Sequence, residues 1–316
     1  MGEAKAEVEP VSVWNAARNL TRPKLHDETL RDGLQNPSAL DPTVEQKIEI
    51  VHLLDEIGID SVNIGLPAAG PRPYADSLAI AQAMADSKLK IRAAGAARTL
   101  VQDIGPMADV TQRTGVVMEV MTFIGSSPIR QYVENWSIEL IRKRSVEAIA
   151  FGVAEGLPVT YVTEDTTRTP PHVLRELFTA AIDAGAHRLC ICDTVGHATP
   201  DGAKNIVEFT KNLIRGMGAD VGIDWHGHDD RGFALANALA AMNAGADRIH
   251  GCVLGVGERV GNTSLEHLLR NLEQDGRYGS WNTDKLTELC QKVWTGTDFP
   301  PRPDHPYLDL PQRTTT

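Results

Sequence analysis

Val221 to Asp229 reads VGIDWHGHD. Val221, Ile223 and Trp225 alternate with small or polar residues, which is the period of a strand. The run then delivers His226 and His228 two positions apart, and in a strand residues i and i+2 point to the same face. Both imidazoles can therefore converge on one divalent metal, or they can satisfy each other by hydrogen bonding, as isolated His-x-His pairs often do. A metal needs a third ligand, which other parts of the chain must supply.

Outward from this stretch the same rhythm recurs: a short apolar strand ends in polar residues and is followed by a helix-length amphipathic segment. Strands are predicted at about 24–28, 60–65, 90–95, 116–123, 158–163, 187–193, 221–226 and 247–253. Helices are predicted at about 43–58, 75–86, 99–112, 130–155, 170–184, 200–217, 231–244 and 263–273. Several end on a glycine stop, as at Ile57-Gly58, Ala184-Gly185 and Ala244-Gly245. Eight β-then-α units fit an α/β fold of the (β/α)8 TIM-barrel type, which takes about 250 residues. A doubly wound sheet also alternates, but no Gly-rich dinucleotide fingerprint follows the first strand.

The expected organisation is a polar N-terminal arm at 1–22, a barrel at 23–275 and a short C-terminal extension at 276–316. That extension reads as one helix near 283–294 and a Pro-rich end, FPPRPDHPYLDLPQRTTT, expected to be extended or disordered. With 316 residues the chain can bury a full core, and its formal charge of −11 argues against nucleic-acid or anionic-membrane partners. Any anionic substrate must be drawn by local charge. Cys190, Cys192, Cys252 and Cys290 lack zinc-finger or thioredoxin spacing and read as reduced core thiols. With no apolar run of about 18 residues and no secretory leader, the expectation is a soluble, cytoplasmic protein.

In a TIM barrel the active site forms at the C-terminal ends of the strands. The dense polar chemistry falls there. HDETLRDGLQN (26–36) brings Asp27, Glu28, Arg31 and Asp32, and TEDTTRT (163–169) brings Glu164, Asp165 and Arg168. CDTVGHATP (192–200) brings Asp193, Thr194 and His197. His226 and His228 are followed by Asp229, Asp230 and Arg231, and GVGERVGNTSLE (255–266) brings Glu258, Arg259 and Asn262. Each loop alone could be a solvated charged turn, but the coincidence of five at strand ends favours a site.

DETLRDG, HxHDD and GxGERxGN together resemble the metal-dependent Claisen-type synthases of the pyruvate carboxyltransferase superfamily, which includes the isopropylmalate and homocitrate synthases. The likeness spans roughly residues 24–273. It implies acetyl-CoA and a 2-oxo acid as substrates and a divalent metal (Mg, Mn or Zn) held by Asp32, His226, His228 and Asn262. Arg31 would polarise the keto group, and Thr194 would bind the acceptor's carboxylate. Gln35 would face the site, with Arg168 as a further substrate contact. Glu164 is the first candidate for the proton-abstracting base, with His197 and Asp193 behind it. The resemblance also implies a homodimer.

Departures from the synthase pattern leave alternatives open. RDGLQN has Leu34 where synthases usually carry an acidic residue, and it also looks like the lyases that cleave hydroxymethylglutaryl-CoA. Those lyases carry a cysteine in the glycine loop, whereas Gly257–Asn262 reads GERVGN, so the synthase reading leads. Asn63 stands where an acidic residue is common and Met121 where His is common, both in the acceptor pocket. Family synthases usually continue into a lid carrying a His and a Tyr; His305 and Tyr307 are read as coincidental. The expectation is absent feedback inhibition and weak turnover unless another subunit or the short tail closes the site. A C–C lyase or aldolase and a noncatalytic metal-binding barrel are the competing readings.

Overall fold

The computed structural model describes residues 22–274, 281–303, 305, 307 and 308. Parallel strands β1 (Lys24–Asp27), β2 (Ser61–Asn63), β3 (Arg92–Arg98), β4 (Glu119–Gly125), β5 (Val159–Glu164), β6 (Arg188–Asp193), β7 (Gly222–Gly227) and β8 (Arg248–Gly251) pair in sequence order. β8 pairs back onto β1, Leu25 opposite Ile249 and His26 opposite His250, and closes a TIM barrel.

Around it run α1 (Val44–Ile57), α2 (Pro71–Asp86), α3 (Val101–Thr114), α4 (Pro128–Glu134) and α5 (Ile138–Ala154). They are followed by α6 (Pro171–Asp183), α7 (Pro200–Met217), α8 (Ala234–Ala244), α9 (Leu265–Gln274) and α10 (Leu286–Thr297). The helices start and stop where local chemistry dictates. Thr43 and Gln46 form a reciprocal capping box on α1, and Gly58, at φ 93°, ends it. Pro171 and Pro200 open α6 and α7 at positions whose N–H has no helical partner.

One expected element is corrected. The helix read at about 130–155 is two, because Asn135 takes a left-handed C-cap conformation and Ser137 caps Leu140 N–H to start a new helix. The periodic apolar residues on either side masked this break.

Two kinds of interior result. Between barrel and helices lies an apolar layer that includes Leu25, Ile50, Leu54, Ile80, Ile104, Leu177 and Leu269. Inside the barrel, near the N-terminal ends of the strands, the filling is ionic. Fully buried Arg248 donates to Glu119 at 2.5 and 2.8 Å and to Asp224 at 2.5 and 2.9 Å. Arg188 closes the other side of Asp224 at 2.5 Å. Such a set holds because its charges and hydrogen bonds are mutually satisfied.

The C-terminal extension packs on the barrel. α10 buries Leu286, Leu289, Cys290 and Val293 and contacts α1 and the turn after β8. Residues 299–302 have no regular secondary structure and a turn follows at 303, and the segment docks, with Pro301 buried and Arg302 3.1 Å from Asp229. His305 meets buried Glu266 at 3.2 Å. Residues 1–21 of the N-terminal arm expected at 1–22, and 309–316 of the Pro-rich end, lie outside the described residues. Among the described residues no helix is long and apolar enough to cross a membrane.

Candidate metal centre and substrate pocket

At the C-terminal mouth of the barrel, backbone pairing brings the loops after β7 and β8 together. His228 and Asn262 form an antiparallel bridge, and Asp229 N–H donates to the Gly261 carbonyl at 3.0 Å. Gly261 sits at φ 104°, and a Cβ there would meet the Gly255 carbonyl oxygen at 2.1 Å, so the close approach requires glycine. The turn after β1 supplies the third edge. Arg31 and Gly33 N–H groups both donate to the Glu28 carbonyl, which winds Asp32 into the mouth.

The result is a tight cluster. One ligand-type atom from each of Asp32, His226 and His228 lies within 4.8 Å of the other two, and all three residues are buried. The two Nε2 atoms are 3.3 Å apart, and His228 Nε2 is 3.8 Å from Asp32 Oδ2. The Asn262 amide NH2 donates to Asp32 at 2.5 Å and to the Val256 carbonyl at 3.2 Å. Its buried Oδ1 has no hydrogen-bond partner among the described residues.

This donor set fits a divalent cation. Burial drives His226 down to about 3 and lowers His228, so both offer neutral lone pairs near pH 7. Burial raises the Asp32 carboxyl, but Arg31 and the two histidines outweigh it and keep Asp32 below its ordinary value, ionised. Two nitrogens, a carboxylate oxygen and an orphaned amide oxygen form a mixed N/O set suited to Mg, Mn or Zn.

Arg31 is fixed beside this cluster. Its Nε donates to Glu28 at 2.7 Å and its Nη1 to Asp32 at 2.7 Å. Glu28 in turn meets His26 at 3.2 Å and His250 at 3.6 Å. Burial raises Glu28, but Arg31 and His26 more than offset it and hold the carboxyl well below its usual range.

The central cavity, of about 200 Å³, is lined by Arg31, Asp32, Gln35, Glu164, Thr194, His226 and His228 from the expected set. Its opposite wall is apolar, built from Leu66, Ala96, Met121, Phe123 and Val162, with Asn63 beneath. Cys190 and Cys192 also line it, so these two reduced thiols form cavity floor as well as core.

Three expected site residues do not line this cavity: Asn262, which reaches the cluster through Asp32, and Arg168 and His197. Arg168 is turned away into a two-point contact with Asp165, at 2.7 Å each. His197 is exposed and lines a separate depression with Thr199 and Arg231. Several rim carboxylates build turns instead of facing substrate. Buried Asp27 accepts from Thr29 N–H and hydroxyl, and Asp193 accepts from the N–H groups of His197 and Ala198.

Conversely, His250 and Glu258 line the cavity without having been assigned a role. His250 is the penultimate residue of β8 but sits in the middle of the strand predicted at 247–253, so the strand-end rule passed over it. Glu258 was seen as a rim charge only.

Fold and site together define a TIM barrel with Asp32, His226, His228 and Asn262 clustered beside a fixed arginine at its mouth. The chain belongs to the HMGL-like family, whose family model matches residues 22–293. It is 36% identical over 289 residues to a Methanopyrus kandleri protein named "Probable 2-isopropylmalate synthase", covering 89% of this chain and 54% of that one. It is 35% identical over 300 residues to the homocitrate synthase AksA of the same organism, covering 92% and 71%. The chain thus spans about half the length of the first relative. The Bacillus subtilis HMG-CoA lyase structure superposes with a TM-score of 0.71 at 19% identity, over 88% of this chain and 95% of that one, a likeness of fold.

Proposed function

We propose that this barrel condenses acetyl-CoA with a 2-oxo acid, in the manner of a 2-isopropylmalate synthase, with a divalent cation held by Asp32, His226, His228 and Asn262. The observation that carries the reading is the cradle with Arg31 at its side, facing an apolar wall across one cavity. The curated relatives, 2-isopropylmalate and homocitrate synthases among them, support the reaction class. A cation bound there supplies Lewis acidity toward the keto oxygen and a template for the carboxylate next to it.

The chain's own groups account for the rest. Arg31, oriented by Glu28 and Asp32, places positive charge where an alkoxide develops. Thr194 Oγ1 already accepts Asp165 N–H at 2.8 Å, which leaves its hydroxyl proton to donate to the acceptor's carboxylate. Glu164 faces the same cavity and takes the α-proton of the acetyl group. The wall of Leu66, Ala96, Met121, Phe123 and Val162 presents no cation, so the acceptor's substituent is apolar and a second carboxylate is disfavoured.

Burial raises the Glu164 carboxyl above its ordinary value, and nearby Arg130 only partly offsets this. As the base it must be ionised, so kcat/KM is expected to fall as pH drops through that raised value. Glu164→Gln is expected to lower kcat by about 10²-fold or more and to abolish that acid limb. A pH–rate profile of both proteins checks it, and an unchanged limb in the variant refutes the role.

Thiol release from acetyl-CoA, followed across a panel of 2-oxo acids with Mg²⁺ or Mn²⁺, tests the reaction. The expected result is release with short branched acceptors and little with dicarboxylates. RDGLQN keeps a lyase in view, and cleavage of a hydroxyacyl-CoA without release from acetyl-CoA would decide for it.

A further inference from the structure

We infer that the floor of the central cavity holds a second cation site, made by His26 Nε2, His250 Nδ1 and Glu28 Oε1 and selective for zinc-type divalent ions that favour imidazole nitrogen.

Topology puts the three together. His26 and His250 stand opposite each other on the paired strands β1 and β8, with ring centroids 4.4 Å apart, and Glu28 follows His26 by two residues. All three are buried, and Glu28 and His250 line the cavity, which gives an ion its way in. One ligand-type atom of each lies within 4.8 Å of the other two. Glu28 Oε1 is 3.2 Å from His26 Nε2 and 3.6 Å from His250 Nδ1. A tetrahedral zinc with ligands at about 2.0–2.1 Å holds them about 3.3–3.4 Å apart, close to the spacing found here. The site shares no ligand with the cradle, and the rings of His226 and His250 meet edge to face at 5.6 Å.

Hydrogen bonding decides which lone pairs face inward. Burial raises the Asp224 carboxyl, but Arg248 and Arg188 outweigh it and keep it ionised, so it can only accept. His250 Nε2, 3.2 Å away, must therefore carry the ring's proton. Nδ1 is left with a buried lone pair that has no hydrogen-bond partner among the described residues and is aimed at a carboxylate oxygen. Two electron-rich atoms so placed call for a cation between them. A carboxylate on the far nitrogen is also what orients histidine ligands at metal sites.

Ser61 Oγ serves His26 in the same way, 2.8 Å from Nδ1. Burial and the neighbouring His250 drive His26 down to about 4, so it offers a neutral nitrogen. Glu28 is free to contribute as well. Arg31 binds its Oε2, and Asn63 approaches Oε1 only at 3.4 Å. Glu266, Cys290 and His305 also converge, yet His305 Nδ1 accepts from Tyr307 N–H at 3.2 Å. Its Nε2 then carries the proton that meets Glu266 and has no lone pair to give.

Two nitrogens and an oxygen, with one position open to the cavity, suit zinc. Mg²⁺ demands oxygen ligands and Mn²⁺ stands at the weak end of the affinity order, so both are expected at the four-ligand cradle alone.

The test is calorimetric titration of the chelator-stripped full chain with Zn²⁺. The wild type is expected to bind two ions and His250→Gln one, whereas His228→Ala is expected to keep this zinc while losing Mn²⁺ at the cradle. Ser61→Ala removes only the group that orients His26 and is expected to weaken the second zinc about tenfold. Anomalous diffraction at the zinc edge locates the ion without any substitution, with a peak expected within bonding distance of His26 Nε2, His250 Nδ1 and Glu28 Oε1. A single zinc per wild-type chain, confined to the cradle, overturns the inference, as does a second zinc that His250→Gln retains. Neither result depends on thiol release, so failure of the condensation reading leaves this site standing.

Discussion

His228→Ala is expected to abolish stoichiometric Mn²⁺ or Mg²⁺ binding and to lower the condensation kcat/KM by about 10³-fold or more. The imidazole is buried, and its Nε2 is one of the atoms converging on Asp32 and His226. Its contribution to the fold is carried mainly by backbone: the bridge to Asn262 and the N–H donated to the Asp193 carbonyl at 3.2 Å survive the substitution. The unfolding midpoint is therefore expected to move little compared with the loss of activity. Metal analysis of the purified variant, with thiol release measured alongside, checks both halves. Retention of one tightly bound metal per chain would mean that His228 is not a ligand.

The second large effect lies deeper in the barrel and concerns stability. Arg248→Met is expected to destabilise the protein by about 3–5 kcal/mol, because Glu119 and much of Asp224 lose their counter-charge inside the barrel. For a barrel of this size that corresponds to a fall in unfolding midpoint of roughly 10 °C. Adding Glu119→Gln to the same chain is expected to recover part of the loss, since it removes one of the stranded charges.

The pH dependence has a definite sign. Burial raises both carboxyls, but Arg248 outweighs it and leaves Glu119 and Asp224 far below the ordinary value. In the wild type their contribution is complete above the usual carboxylate pKa and is lost as pH falls toward the depressed values. In Arg248→Met burial of Glu119 is countered mainly by the Thr160 hydroxyl, so the carboxyl takes up a proton more readily. The stability deficit of the variant is therefore expected to be smaller at pH 5 than at pH 8, which paired thermal melts measure. A deficit that grows in acid would contradict the ionic account.

Much of this molecule was legible from periodicity. Each predicted strand overlaps an observed one, because a barrel strand is short, apolar on the helix side and punctuated by a polar end. Asp32, His226 and His228 share the mouth because the first and seventh strands both deliver their polar ends to the same rim. Which of the other rim residues face inward was not legible. Arg168 and His197 follow strand ends just as Thr194 does, but Asp165 at φ 62° and the Asp193-anchored turn redirect them.

The ionic filling of the barrel was also hidden. Glu119, Asp224 and Arg248 open their strands or sit early in them, where an isolated charge reads as solvated, and only closure of the sheet brings them together. The break between α4 and α5 depended on Asn135 and Ser137, a cap pair set within an otherwise continuous helical pattern. The docking of α10 and residues 299–303 depended on long-range contacts such as Arg302 with Asp229, which no local pattern encodes.

One divalent cation is proposed to bind among Asp32, His226, His228 and Asn262. Anomalous diffraction from crystals soaked in Mn²⁺ tests it most directly. A single strong peak is expected about 2.0–2.3 Å from Asp32 Oδ2, both Nε2 atoms and Asn262 Oδ1. A fully occupied peak elsewhere, or none at this cradle at saturating Mn²⁺, would contradict it.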